Sequence, residues 1–283
     1  MKFSFLIENK TETSDIVAEH GLSIYIEARG KKILFDAGAS SLFSENAREM
    51  KVDLADVDFA IVSHGHHDHT SGMPAFCDIN RKAPVYIHKN AFRKSYGYEN
   101  GKMDEEQCGI EWTDAEKTRI ADRLIYTEGP VYVTEDIGIT GTVAIDEDFV
   151  PTEKFSYYDE SGALVDDDMS HEQCLVIREP EGLYVFSGCS HRGVLNGIRA
   201  CKNMFPGERI AAVIAGMHLY SATDEDRKRV VDEIASEGLD MVIPVHCTGI
   251  DAICDLKAKL GKNCIVATAG KTYSGVSTVG RKN

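Results

Sequence analysis

The sequence lacks any long apolar run. None of its hydrophobic stretches approaches the roughly 20 residues that a membrane-spanning helix needs. The apolar part of residues 1–10 is too short for a signal peptide, and it alternates like a β-strand. We therefore expect a cytoplasmic protein that has no membrane partner.

Cysteine pairs at the spacing of redox or zinc motifs are also missing. The eight cysteines are scattered without a Cys-x-x-Cys motif, and several, such as Cys174 and Cys264, lie in apolar surroundings. Such cysteines usually behave as small hydrophobic side chains in a reducing compartment. The pattern argues against a disulfide framework and predicts mostly free thiols.

The chain has few basic residues for its length. Its 31 lysines and arginines are outnumbered by 46 aspartates and glutamates, which gives a formal net charge of -15. This charge opposes attraction to a phosphate backbone, so nucleic acid is not an expected partner. Neither a glycine-rich phosphate loop nor a Ser-His-Asp arrangement is recognisable. We expect the acidic residues 166–168 to lie in a solvated loop.

What the sequence does contain is a dense group of metal-ligand side chains. An apolar run at residues 57–62 predicts a buried strand, and four potential ligands follow it within six residues: His64, His66, Asp68 and His69. Gly65 allows a tight backbone between the first two. Imidazole and carboxylate suit zinc, manganese or iron. Since His64 and His66 alternate to one side and Asp68 lies beside His69, one loop can serve two adjacent metals.

Three later histidines stand at the ends of apolar strands. His191, His218 and His246 each follow such a strand, which repeats the placement of His64. We expect His191 and His246 to bind metal, and His218 to contact substrate or support the site. We expect His20 and His88 to be structural or surface residues. The His67 side chain is expected to turn away from the ligands.

These residues carry a family resemblance. The motif at residues 64–69 is accompanied by Phe-Asp-Ala-Gly at 35–38, Ser-Gly-Cys-Ser-His at 187–191 and Pro-Val-His-Cys-Thr-Gly at 244–249. Together they resemble the signature of the metallo-β-lactamase superfamily over nearly the whole chain. The last two, with Ala-Gly-Met-His-Leu at 215–219, are similar to its dihydropteroate-synthase-like branch.

The resemblance implies an α/β fold, an αββα sandwich of the metallo-β-lactamase type with two mixed β-sheets flanked by helices. It also implies two divalent metal ions at the shared edge of the sheets, with zinc first and manganese or iron as alternatives. The implied ligands divide into two sets, with His64, His66 and His191 on one ion and Asp68, His69 and His246 on the other.

Three positions near these sets need separate treatment. Most members of the superfamily have a bridging aspartate where this chain has Cys189, whose thiolate can ligate or bridge zinc. Alternatively, His171 supplies the third imidazole of the first ion in place of His191. Asp36 matches an aspartate that orients the histidine loop from behind, although an aspartate capping a turn is an equally good reading.

The implied activity is hydrolysis of an ester or phosphoester of a small molecule, with Asp68 orienting or deprotonating the water. The branch implies an alternative, transfer of a pterin-methyl group from its diphosphate to an aminobenzene ribofuranosyl phosphate. A non-catalytic metal, redox or sensor protein is a third reading. The expected substrate is a small molecule, phosphorylated or pterin-like, and a homo-oligomer is compatible with the sequence.

The strand and helix patterns predict one domain over residues 1–283. Segments at 123–126, 131–133 and 137–141 are expected in a second sheet, which residues 265–267 would close. The polar segment at about 90–112 has no strong period and is expected to lie over the active-site edge as a lid, or else as a variable surface loop.

Overall fold

The computed structural model describes residues 1–99, 101–146 and 153–275. The strands are β1 Lys2–Ile7, β2 Ser23–Ala28, β3 Lys31–Phe35, β4 Phe59–Ile61, β5 Val85–His88, β6 Ser95–Tyr96, β7 Tyr98–Glu99, β8 Lys102–Met103, β9 Leu124–Thr127, β10 Val131–Thr134, β11 Ile137–Ile139, β12 Ser156–Tyr158, β13 Leu164–Asp166, β14 Leu175–Glu179, β15 Gly182–Ser187, β16 Ile210–Gly216, β17 Met241–Val245 and β18 Thr272–Ser274. The α-helices are α1 Leu42–Glu49, α2 His67–Thr70, α3 Met73–Ile79, α4 Asp114–Ile120, α5 Val194–Met204, α6 Asp224–Ser236 and α7 Ile250–Leu260.

Two mixed sheets form the centre of the molecule. The first has the order β18-β1-β2-β3-β4-β5-β9, and its last four strands run parallel. The second has the order β10-β11-β14-β15-β16-β17, with β15, β16 and β17 parallel. Crossover helices connect the parallel strands, as this geometry requires. The carboxyl ends of these parallel strands are where α/β sheets usually place their chemistry.

Alternating side chains on each strand fill two different cores. In β3, Ile33 and Phe35 pack between the sheets, whereas Leu34 packs outward under α1 and α3. In β16, Ile214 faces the layer between the sheets and Val213 faces α5, α6 and α7. Strands buried on both faces are near-continuously apolar. The resulting order of layers is helix, sheet, sheet, helix, so the predicted αββα sandwich is confirmed.

Two strand assignments made from the sequence are wrong. The segment expected to open the second sheet is β9, which pairs in parallel with β5 at the edge of the first sheet. Residues 265–267 add no strand to the second sheet. The Ile265 N–H donates to the Val242 carbonyl, and the preceding Cys264 forms an isolated bridge with Val242. The chain instead returns to the first sheet as β18. Alternation identifies a strand but not its partner, because pairing is decided by contacts distant in sequence.

The segment at 90–112 contains the short strands β6, β7 and β8, and its residue 100 lies outside the described residues. Strand β6 joins β12 and β13 in a small third sheet. Its lid function stays a prediction, as does the extent of the domain over 1–283. No helix within the three described ranges is long and apolar enough to cross a membrane.

The acidic segment at 166–168 is not simply a solvated loop. The Asp167 side chain is fully buried, accepts a hydrogen bond from Ser95 and pairs with Arg93. Its other neighbour is His171, whose Nε2 lies 3.7 Å away. The segment therefore ties the 90–112 insertion to the interior, and a count of charges in the sequence could not reveal this partner set.

Candidate metal centre

The histidine loop begins where β4 leaves the first sheet. His64 and His66 extend from the strand end, and the following residues form the single turn α2. Gly65 between them is required by space, because a Cβ there would lie 2.1 Å from the carbonyl oxygen of Ala91. The close approach holds the two imidazoles on the same side, with ring centroids 4.7 Å apart.

Asp36 organises this loop from behind. Its carboxylate accepts hydrogen bonds from the backbone N–H and the hydroxyl of Ser63, each at 2.7 Å. It also lies 2.7 Å from Nδ1 of His69, so Nε2 of that ring faces the centre. The Ser63 hydroxyl is in turn 2.9 Å from Nδ1 of His64. One carboxylate therefore sets the orientation of an imidazole directly and of a second through Ser63.

The first ligand set lies entirely out of solvent. Ligand atoms of His64, His191 and Cys189 are within 4.8 Å of one another. The His66 ring joins them, with its centroid 4.8 Å from that of His191. The Nε2 atoms of all three histidines are buried without a hydrogen-bond partner. Buried polar atoms are almost always paired, so unpartnered Nε2 atoms on three neighbouring imidazoles indicate a ligand that binds them.

The second set lies on the other side of Cys189. Ligand atoms of Asp68, His69, Cys189 and His246 are within 4.8 Å of one another. Asp68 Oδ2 is 3.0 Å from Nε2 of His246, and Nε2 of His69 is 3.1 Å from the Cys189 sulfur. The remaining nitrogen of His246, Nδ1, lies 2.8 Å from the amide oxygen of Asn9. Asn9 therefore orients this ring much as Asp36 orients His69.

Cys189 is the residue that both sets share. It follows β15, and a Cβ on the preceding Gly188 would lie 2.2 Å from the Ser63 hydroxyl. The absence of that Cβ lets the two strand-end loops approach each other. Burial raises the pKa of the Cys189 thiol well above its ordinary value. A bound cation would offset that effect, because metal ions deprotonate the thiols that ligate them.

His171 lies behind the first set instead of within it. Its Nδ1 accepts a hydrogen bond from the Gly65 backbone N–H at 3.1 Å, and its Nε2 faces Asp167. Both nitrogens are therefore engaged by protein groups. Of the two alternatives for the third imidazole, the structure brings His191 to the ligand set and makes His171 a support for the loop.

The protonation of the histidines suits a metal. Burial lowers the pKa of His66 to about 3 and the pKa values of His64 and His191 well below their ordinary value. These rings are neutral at pH 7 and available as ligands. For His69, burial works in the same direction, but the carboxylates of Asp68 and Asp36 outweigh it and raise its pKa to about 9. The donor set of imidazoles, carboxylate and thiolate fits zinc or a similar divalent ion.

Several strand-end positions carry strained backbone. Asp36, Ser190, His218 and His246 all have φ between 48° and 57°, which is uncommon for residues other than glycine. Each such residue costs of order 1–3 kcal/mol and persists only where its surroundings impose it. The concentration of strain around one centre is typical of a functional site.

The structure adds neighbours that the sequence pattern did not indicate. His20, expected to be a structural or surface residue, is exposed, and its ring also lies 4.8 Å from that of His246, with its Nε2 3.5 Å from Asp68. Cys247 is buried beside Cys189. Glu153 contacts His218. Spacing in the sequence does not indicate that these residues belong to the site, because each comes from a distant loop.

The other histidines fit their expectations. His67 turns to the carbonyl oxygen of Cys108 at 3.3 Å, and His88 lies 2.9 Å from the Thr142 hydroxyl.

The ligand sets open into a cavity of about 190 Å³. Its lining includes His218, Phe155, Tyr220 and residues from the 90–112 insertion, such as Cys108.

An αββα sandwich with buried histidine and carboxylate ligands at the ends of its parallel strands defines the metallo-β-lactamase class of fold, whose members typically bind divalent metals. The chain belongs to the metallo-beta-lactamase superfamily, whose family model matches residues 17–189.

Two relatives from Methanocaldococcus jannaschii resemble most of the chain. One is an uncharacterized protein, 30% identical over 89% of this chain and 92% of its own length. The other is 7,8-dihydropterin-6-methyl-4-(beta-D-ribofuranosyl)-aminobenzene-5'-phosphate synthase, 29% identical over 83% of each chain. The predicted family and the similarity to this synthase are thus confirmed.

Solved structures show the same fold. A metal-dependent hydrolase of the beta-lactamase superfamily superposes with a TM-score of 0.83 and 27% identity, covering 98% of this chain and all of that one. Zn(2+)-bound PqqB from Methylobacterium extorquens gives a TM-score of 0.58 at 12% identity, covering 97% and 100% of the two chains. The second similarity concerns the fold alone.

Proposed function

We propose that the protein is a metal-dependent hydrolase whose dinuclear centre directs water at an ester or phosphoester of a small molecule. The observation that carries the proposal is the convergence of two buried ligand sets on one cavity, with unpartnered imidazole nitrogens aimed into it. The similarity to a metal-dependent hydrolase over 98% of the chain supports it.

In this proposal His64, His66 and His191 hold one ion and Asp68, His69 and His246 hold the other, with Cys189 between them. Zinc suits the mixed imidazole and thiolate donors best, and manganese or iron are the alternatives. When bound, such a pair of ions would acidify water and stabilise the charge that develops on the oxygen of the attacked carbonyl or phosphoryl group.

The protein groups supply orientation and proton transfer. Asp36 and Asn9 fix the rings of His69 and His246, so their ligand nitrogens need no rearrangement. Asp68 is the carboxylate we assign to orient the attacking water and accept its proton, since it borders the cavity. His218 lines the same cavity and is assigned a substrate contact.

The cavity favours a small substrate. Its volume of about 190 Å³ adjoins a second, mostly apolar cavity of about 320 Å³, and the two share His20, Tyr220, His246 and Cys247. An elongated molecule with a polar reacting end and an apolar body fits the pair. The net charge of -15 argues against nucleic acid as the substrate.

Eight free cysteines support a reducing compartment such as the cytoplasm. Association into a homo-oligomer is compatible with this proposal.

A second candidate function is synthesis instead of hydrolysis. The synthase from Methanocaldococcus jannaschii, 29% identical over 83% of this chain, supports transfer of a pterin-methyl group from its diphosphate to an aminobenzene ribofuranosyl phosphate. In that case the same ligand sets would hold ions against the departing diphosphate. A non-catalytic metal, redox or sensor role is the reading left if neither reaction occurs.

One experiment separates these functions. Protein purified without chelator is analysed for metal, then assayed with a panel of phosphoesters and carboxylate esters and with the pterin-methyl diphosphate donor plus its acceptor. We expect about two ions in the two proposed sets and turnover of a hydrolytic substrate.

The variant His66→Ala should lose turnover while it stays folded, because the His66 side chain serves as a metal ligand and contributes little to core packing. The matched control is His88→Gln, which is also buried but bonds Thr142 outside the ligand sets. Equal loss in both variants, or absence of bound metal after reconstitution, would contradict the proposal.

A further inference from the structure

Two residues of the cavity, His218 and Cys247, have metal-binding side chains but are not ligands of the proposed dinuclear centre. Ligand atoms of Cys189, His218 and Cys247 lie within 4.8 Å of one another. The three residues are only 3%, 7% and 4% exposed. They therefore form a compact and largely buried group of two thiols and one imidazole at the wall of the cavity.

The topology explains why these three residues meet. Cys189, His218 and Cys247 follow β15, β16 and β17, three neighbouring parallel strands. Each residue comes within a few positions of its strand's carboxyl end, so all three point into the same edge. Gly216, at the end of β16, makes room for the group because a Cβ there would lie 2.8 Å from the Cys247 sulfur.

The imidazole of His218 supplies an independent sign of a ligand. Its Nε2 pairs with the Glu153 carboxylate, whereas its Nδ1 is buried without a hydrogen-bond partner. Its backbone is held in the left-handed region at a φ of 48°. A histidine buried in this way is costly unless something binds it.

We propose that Cys189, His218 and Cys247 form a third metal-binding set, which takes a thiophilic ion of the zinc type. Zinc bound tetrahedrally, with bonds of about 2.3 Å to sulfur and 2.0 Å to nitrogen, brings its ligand atoms to roughly 3.5–3.8 Å from one another. The observed limit of 4.8 Å requires only small side-chain adjustments to reach that spacing. Each cysteine releases its proton to solvent when the ion binds.

The inference goes beyond the proposed hydrolase, which needs two ligand sets only. Cys189 then belongs to all three sets, and the third ion lies beside the second. The substrate contact assigned to His218 above would then be made through the ion that it binds. The centre would then combine hard and soft ligands, with carboxylate oxygen from Asp68 on one side and the sulfurs of Cys189 and Cys247 on the other.

The test counts ions and observes sulfur ligation directly. Full-length protein is purified under reducing conditions, stripped and dialysed against zinc, and its metal content is measured. Cobalt(II) is substituted in parallel, because cobalt bound to thiolate shows a charge-transfer band that cobalt bound to histidine lacks. We expect about three equivalents in the wild type, if each ligand set takes one ion.

Two variants remove the third set without touching the proposed hydrolytic ligands. Cys247→Ser and His218→Gln should each bind about one equivalent less, and Cys247→Ser should lose about half of the charge-transfer intensity, since one of two sulfur ligands remains. The control is Cys201→Ser, a buried cysteine beside Cys174 in the helical layer. It should match the wild type in both measurements.

The proposal is overturned if the wild type saturates at two equivalents, or if Cys247→Ser keeps the stoichiometry and spectrum of the wild type. Circular dichroism checks that each variant is folded, and His218→Gln carries the test if Cys247→Ser is not. Because metal content is the readout, an inactive protein that binds a third ion still supports this inference while the hydrolase proposal fails.

Discussion

The carboxylate of Asp36 offers the sharpest test of how the centre is held. It contacts three groups at 2.7 Å: the Ser63 backbone N–H, the Ser63 hydroxyl and Nδ1 of His69. Asp36→Asn keeps the shape but removes the charge and gives the side chain a donor that faces donors. One of the three contacts must therefore be lost. Because Asp36 is fully buried, water cannot replace the lost partner.

The magnitude follows from the position of Asp36 one step behind the ligands. Loss of such a partner lowers metal affinity roughly 10- to 100-fold, or by about 1.4–2.7 kcal/mol. Both proposed ions should be affected, since His69 is oriented directly and His64 through Ser63. Ser63→Ala removes the hydroxyl that links Asp36 to His64 but leaves the Asp36–His69 contact in place, so it should weaken one ion only.

Competition with a chromophoric zinc chelator measures the two affinities separately. The matched control is Asp53→Asn, an exposed aspartate whose side chain accepts a hydrogen bond from the Ala55 N–H at a helix start. It should bind metal as the wild type does. If Asp36→Asn binds both ions with wild-type affinity, Asp36 does not orient the ligands and only caps a turn.

Further predictions concern the ligands and their protonation. Gly65→Ala should lose bound metal, because its Cβ would displace the Ala91 carbonyl, and wild-type metal content by elemental analysis would contradict this. Cys189→Ser should bind at least one equivalent less, whereas Cys189→Asp should keep the two ions of the proposed hydrolytic centre; unchanged stoichiometry in the serine variant would reject thiolate ligation. His20→Ala should alter turnover, since the ring lies against His246, and unaltered kinetics would make it a mere surface residue. In metal-free protein, the pKa of His69 is raised from 6.5 to about 9, so its stabilising effect is full below pH 6.5 and is lost as the pH rises through about 9; urea unfolding that shows no decline over this window would refute it.

Much of the site was predictable because its signals are local. The motif at residues 64–69 follows its strand directly, and His191 and His246 stand at strand ends that apolar runs reveal. The choice between His191 and His171 was not local. It depended on which of the two rings bonds the Gly65 N–H and which one faces the centre. Side-chain orientation decides this, and spacing in the sequence does not encode it.

The residues that the sequence hid share one property: their partners lie far away in the chain. Cys247 becomes notable only once β15 and β17 bring it to Cys189. Asp167 is buried only because the 90–112 insertion folds over it. In the same way, the composition of β9 identifies it as a strand, and only its contact with β5 assigns it to the first sheet.

The division of ligands between the two sheets has a mechanical consequence. His64, His66, Asp68 and His69 come from the first sheet, whereas Cys189, His191 and His246 come from the second. Ions bound between them would link two layers that otherwise adhere through apolar packing and a few polar contacts, such as Arg29 with Asp136 and Asn9 with His246. Closing such a long loop of chain restricts the unfolded ensemble, as other cross-links do. Amide exchange in the edge strands of the two sheets, such as β10 and β18, should then slow when the ions bind. Rigidity across the whole sandwich would therefore report whether its metal edge is occupied.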